Sequence, residues 1–231
     1  MTDAYIVGAV RSAGGKKNGR LSKIHPIDLG AEVVDALVAK TGVAVSEIDD
    51  LIFGCVSQVG AQSSNIARNI CLSSVLGEVV PGTTVDRQCG SGQQAMHFAA
   101  QGVLSGTQDL VIAGGVESMS QVPIGANIID GYKAEHGLPY GKKMSERYPG
   151  VQFNQFAGAE MLAHKYELTQ EELNAFAFDS HVKAKRAVLE GRFKDEIVAI
   201  QIELEDGTTA SHEQDEGIRM DATLGAIAGL Q

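Results

Sequence analysis

A chain of 231 residues has room for one large domain or two modest ones. With 44% hydrophobic and 21% charged residues, the composition is that of a globular protein and excludes a disordered one. A formal net charge of -10 with no basic cluster argues against nucleic acid as a partner, and no apolar run approaches the ~20 residues that span a bilayer.

In chain order, Met1-Thr2-Asp3-Ala4 leads directly into an apolar run, without the basic start and long apolar stretch of a signal peptide. Ala4 to Val10 reads as a buried strand. From Asp28 to Lys40, apolar residues recur at Leu29, Val33, Val34, Leu37 and Val38, a helical period that Gly42 stops. Leu51–Val56 is a second strand, Ile66–Leu76 a helix ended by Gly77, and Thr83–Arg87 a short β-type run. Gly92–Leu104 reads as a helix and Asp109–Ala113 as a fourth strand. This alternation predicts an α/β fold with a largely parallel sheet and helices on both faces. A boundary is expected near Ser118, giving domains 1–118 and 119–231. Residues 119–155 look irregular, and a long irregular stretch within a compact domain points to a functional or interface element. Beyond it, Thr169-Gln170-Glu171-Glu172 matches a capping box that opens a helix. Ile200, Ile202 and Leu204 then alternate with polar residues in a strand that turns at Asp206-Gly207.

Cys55, Cys71 and Cys89 form an odd set without metal-ligand spacing, so a reduced, cytoplasmic protein with no bound metal is expected. Cys55 and Cys71 lie in apolar segments and read as buried hydrophobes. Cys89 differs, because Val85-Asp86-Arg87-Gln88-Cys89-Gly90-Ser91-Gly92 falls between a strand and a helix. A cysteine beside a helix N-terminus meets unpaired backbone N–H groups and the positive end of the macrodipole, which favour a thiolate. The same N–H groups can stabilise an oxyanion. Position alone leaves a nucleophile and a small buried hydrophobe equally open for Cys89. Gly90-Ser91-Gly92-Gln93-Gln94-Ala95 also matches a dinucleotide fingerprint, with Asp109 as the ribose acid. That reading is the weaker one, because the match falls at the third strand-to-helix junction and Asp109 precedes its strand.

Taken together, these segments resemble the thiolase family. Asp86-Arg87-Gln88-Cys89-Gly90-Ser91-Gly92 looks like its nucleophile motif. Arg11-Ser12 with Gly14-Gly15 resembles the opening segment, with Ala13 in place of the usual proline. Asn65-Ile66-Ala67-Arg68 and Gly114-Gly115-Val116-Glu117-Ser118-Met119-Ser120 match two further landmarks. Phe156 to Ala187 resembles the helical part of the loop domain, and Asp215-Glu216-Gly217-Ile218-Arg219 the segment with a CoA-contacting arginine.

The resemblance implies a thiolase-like α/β fold: a first α/β half with an inserted α+β loop domain, and the second half absent. It implies acyl transfer between CoA and Cys89, either thiolytic cleavage of a 3-ketoacyl-CoA or the reverse condensation. Arg219 would contact CoA, which is a substrate, and no cofactor would be tightly bound. The expected assembly is a homo-oligomer, dimer or tetramer, or a pairing with a companion chain that carries the second half. The family's G-H-P histidine, its C-x-G cysteine and its N-E-A-F asparagine have no counterpart before Gln231. This chain alone is therefore expected to be inactive. Asn154-Gln155 stands where biosynthetic members carry a His-Met pair, which points to the degradative type. The alternative is a non-catalytic subunit or scaffold of the same fold. Among the histidines, His97 lies eight positions beyond Cys89, about 12 Å along a helix. His25, His136, His164, His181 and His212 read as solvated surface groups, and Lys142-Lys143 as a solvated loop tip.

Overall fold

A computed structural model describes residues 3–230. Its first elements are β1 (Arg11–Ser12), α1 (Pro26–Thr41), β2 (Asp50–Gly54), α2 (Ile66–Ser73), β3 (Gly82–Val85), α3 (Ser91–Ser105) and β4 (Val111–Gly115). Then come α4 (Ala126–Lys133), α5 (Lys142–Arg147), α6 (Gln155–Lys165), α7 (Gln170–Leu189), β5 (Ile197–Val198), β6 (Ile200–Glu203), β7 (Thr209–His212) and α8 (Leu224–Ala228). Two compact units emerge, one of residues up to 136 with 195–216, the other of 137–194 with the residues from 217 on.

In the first unit, β3, β2 and β4 form a parallel sheet in that order. The chain runs from β2 through α2 to β3, then back through α3 across β2 to β4. Crossovers of one hand that run in opposite directions lay their helices on opposite faces. Accordingly, Leu51 and Phe53 of β2 pack into a core with Val34 of α1 and Ile66 and Ile70 of α2. Ile52, between them, faces the other way onto Ala95 and Ala99 of α3. The period-two alternation of β2 thus separates the two cores. Asn65 caps α2, its Oδ1 accepting from the Arg68 amide at 3.3 Å and from Thr84 Oγ1 at 2.7 Å. Its Nδ2 donates to the Gly82 carbonyl at 2.8 Å, so the Asn65–Arg68 motif fastens α2 to β3.

Four expectations change. No strand forms over Ala4–Val10; only Arg11 and Ser12 pair, in parallel, with Ile197 and Val198. Tyr5, Ile6 and Val7 are exposed, because no described segment lies alongside to take their ladder bonds. The units also do not divide at Ser118. Gln121 Nε2 donates to the Ser22 and Ile24 carbonyls at 3.1 and 2.5 Å, which keeps the segment after Ser118 on the first unit. The irregular 119–155 stretch contains α4 and α5. Finally, His212 is no surface group: it is 1% exposed, pairs in register with buried Ile200, and donates from Nε2 to the Ala13 carbonyl at 3.1 Å.

In the second unit the capping box at Thr169 is complete. Thr169 Oγ1 accepts from the Glu172 amide at 3.2 Å, and the Glu172 carboxylate accepts from the Thr169 amide at 2.8 Å.

Candidate active site

The turn between β3 and α3 presents Cys89 above the C-terminal edge of the sheet. Asp86 Oδ1 accepts from the Gln88 amide at 2.9 Å, and Ser91 Oγ accepts from the Arg87 amide at 3.1 Å. These two bonds bend the chain tightly, and Gln88 and Cys89 take positive φ values of 21° and 33°. Such angles cost an ordinary side chain about 1–3 kcal/mol each, and the surrounding contacts hold them. Cys89 is exposed, unlike the buried Cys55 and Cys71. Gly90 is the N-cap of α3 and has no side chain to occupy its first-turn amides. Cys89 therefore sits one residue outside an open helix N-terminus, a place suited to an anionic sulfur or an oxyanion.

Backbone-to-backbone packing places this turn. A Cβ on Gly54, at the end of β2, would collide with the Gly92 amide nitrogen and the Ser91 carbonyl carbon. Glycine there lets the first turn of α3 lie directly on the strand end. Behind it, the Glu117 carboxylate accepts from the Val56 amide at 2.8 Å, the Ser57 amide at 3.2 Å and Gln62 Nε2 at 2.8 Å. Fully buried Gln62 accepts from the Ser118 amide at 2.6 Å and donates to the Ser57 carbonyl at 2.9 Å. This network joins the loops that follow β2 and β4. Burial, with nearby Glu117 adding to it, pushes the Cys55 thiol up to about 12. No role for Gln62 or Glu117 follows from the sequence; the only signal is that Glu117 falls within the Gly114–Ser120 landmark.

Two other landmarks about 200 residues apart meet in the first unit. Arg11 donates to both carboxylate oxygens of Asp215, at 2.7 and 3.0 Å, and through Nε to Glu196 at 2.6 Å. Asp215 also accepts from the Gly14 amide at 2.6 Å. The Arg11 guanidinium holds the Asp215 carboxyl below the usual carboxylate range, against the opposing effect of burial. Glu216 accepts from the Arg20 amide at 3.0 Å, so the two acids hold the Gly14–Arg20 loop from two sides.

Cys89 belongs to the first unit and Arg219 to the second. His97 is exposed on α3, and among the described residues no side chain hydrogen-bonds to Cys89 Sγ. A cavity of about 370 Å³ lies elsewhere in the first unit, walled by Val10 and Arg11 on one side and Ile112 to Val116 on the other, over Leu29 and Val33. Cys89 does not line it. The dinucleotide reading fails on geometry. Asp109 precedes β4, at the opposite edge of the parallel sheet from Gly90–Gly92. Among the described residues no cluster of three or more His, Cys, Asp or Glu is placed to hold a metal, and no helix is long and apolar enough to cross a membrane.

An exposed cysteine in a strained strand-to-helix turn lies over a parallel sheet with helices on both faces, an arrangement that defines an α/β protein. The chain belongs to the thiolase family: the thiolase N-terminal domain matches residues 4–231. It is 42% identical to the steroid 3-ketoacyl-CoA thiolase FadA6 of Mycobacterium tuberculosis, over 100% of this chain and 56% of that protein. It is 40% identical to a 3-ketoacyl-CoA thiolase of Acinetobacter baumannii, over 99% of this chain and 56% of that one. Among solved structures, the acetyl-CoA acetyltransferase of Bacillus anthracis superposes with a TM-score of 0.81 at 31% identity, covering 100% of this chain and 59% of its own. The chain thus spans about half the length of the curated relatives it matches.

Proposed function

We propose that residues 1–231 are the nucleophile-bearing part of a thiolase and that Cys89 accepts the acyl group. The observation that carries this reading is the exposed Cys89 in its strained turn at the uncapped N-terminus of α3. In the degradative direction, the Cys89 thiolate attacks the 3-keto carbon of a 3-ketoacyl-CoA. The bond between C2 and C3 breaks, its electron pair leaves on C2, and a proton from a general acid completes acetyl-CoA. The thiolate of a second CoA then attacks the acyl-cysteine, takes the acyl group and releases Cys89. The reverse sequence is a condensation. The Cys89 amide and the first amides of α3 receive the oxyanion.

Arg219 contacts CoA, which enters as substrate, and no cofactor is tightly held. The 3-ketoacyl-CoA thiolase names of relatives 40–42% identical support the degradative direction. The base that ionises Cys89 and the acid that protonates the leaving carbanion are groups outside residues 1–231, and the assembly is a homo-oligomer, dimer or tetramer, or a pairing with a companion chain. Three unpaired thiols fit a cytoplasmic location.

The test is mass spectrometry of the Cys89 peptide after incubation with acetoacetyl-CoA. When the chain is mixed with a polypeptide that bears the family's histidine and second cysteine, Cys89 should carry an acetyl group and CoA-dependent turnover should appear. Turnover that survives in Cys89→Ala, or acylation confined to Cys55 or Cys71, would overturn Cys89 as the acyl acceptor, and a lack of both acylation and turnover in the mixture would favour a non-catalytic scaffold.

A further inference from the structure

The covered side of α7 contains a residue out of keeping with its neighbours. Asn174, Ala177, Phe178, His181, Ala184, Ala187 and Val188 are its half-buried positions, recurring every three or four residues along one stripe. The stripe is mostly small or apolar, and His181 lies at its centre. The segment after Gly217 lies on α7 and leads into α8, whose Ile227 is buried. There the Arg219 amide donates to His181 Nδ1 at 3.2 Å. One helical turn further on, Lys185 Nζ donates to the Met220 carbonyl at 2.6 Å. Two side chains of one helix thus grip two successive backbone groups, and the Arg219 side chain is left exposed.

We infer that His181, with Lys185 beside it, is a positioning residue that fixes the backbone of Arg219 and so aims its guanidinium at a phosphate-bearing ligand. The inference rests on the CoA role proposed for Arg219 and adds the device that orients it. A guanidinium recognises phosphate well only when its fork is pre-aimed. Arg219 lies outside any helix or strand, so its own segment does not supply that rigidity. His181 performs this task only through Nδ1 as an acceptor, which requires the imidazole proton on Nε2. Lys185 shares α7 with His181, Arg219 and Asp221 lie on the segment, and α8 carries no charged residue.

The experiment uses the full chain with CoA as the probe and compares His181→Ala, His181→Asn and Arg219→Ala. Asparagine offers an amide oxygen close to where Nδ1 stands and so restores the acceptor. In His181→Ala, hydrogen exchange at the Arg219 amide should quicken and CoA affinity should fall about five- to tenfold, the effect of one hydrogen bond. In His181→Asn, both should return most of the way to wild type, whereas a histidine that merely fills space would not be rescued by asparagine. Unchanged Arg219 exchange in His181→Ala, or no rescue by His181→Asn, would overturn the inference. CoA binding that Arg219→Ala leaves untouched would instead overturn the functional reading on which it rests, whatever the exchange data show.

Discussion

Cys55, Cys71 and Cys89 share a side chain and differ in surroundings. Desolvation holds the Cys55 thiol up at about 12 and raises that of Cys71, while Cys89 is open to solvent. Iodoacetamide should therefore label Cys89 at least about tenfold faster than the other two, which become reactive only when the core opens. Equal labelling of all three in the folded protein, read by peptide mass, would remove the case for Cys89. Asp215 makes a second prediction, with a definite sign. Its folded-state pKa is depressed by the Arg11 hydrogen bond. A depressed carboxylate contributes stability above its unfolded value of about 3.9, and that contribution is lost as pH falls through the lower folded value. Asp215→Asn should thus lower the urea midpoint most at about pH 7, and the gap from wild type should close towards about pH 3. A gap of constant size would mean that the Arg11–Asp215 pair has no linked effect on folding.

Among the elements, the first unit was largely legible because its signals are local. Helical periodicity set α1, glycine ended it, and the strand-helix alternation set the parallel sheet. The capping box placed the start of α7 correctly. The N-terminal strand was misread because an apolar run reports only a tendency to be buried, and a ladder needs a neighbour the run cannot specify. His212 was misread because register decides burial: its pairing with Ile200 turns it inward, and polarity alone suggested otherwise. The tie between Arg11 and Asp215, and the Gln62–Glu117 network, join residues distant in sequence and leave no periodic trace. Gly54 is the element-scale feature most open to test. In Gly54→Ala the new methyl meets the α3 backbone, which no side-chain rotation can relieve. The expected loss is about 1–3 kcal/mol in chemical denaturation, with a changed Cys89 labelling rate as the first turn of α3 is displaced. Unaltered stability and labelling would show that the turn is positioned by something other than this close packing.

At the scale of the whole molecule, the unusual property is how much apolar surface the chain shows. Met96, Phe98 and Leu104 on α3 are 50%, 39% and 52% exposed, and Tyr5, Ile6 and Val7 are 78%, 75% and 68% exposed. The Ala-rich sequence of α3 suggests a helix covered by protein, yet only Ser91, Ala95 and Ala99 of it are buried. Single exposed apolar residues are ordinary, but groups of them on one helix mark association sites or aggregation liabilities. Tyr5, Ile6 and Val7 take no part in any strand pairing among the described residues, which adds a second route, because an extended apolar edge accepts another strand. We therefore expect the chain in isolation to associate with further copies of itself through α3, and to exchange those copies for a companion polypeptide when one is supplied. Light scattering should return a mass above that of one chain, and that mass should fall on dilution. Phe98→Glu and Met96→Glu would place charge on the exposed side of α3 while leaving Ala95 and Ala99 in the core. Each should shift the distribution towards the monomer without changing Cys89 labelling by much. A wild-type mass equal to one chain across the concentration range would show that α3 tolerates water on that face, and the assembly proposed for this protein would lose its main physical argument.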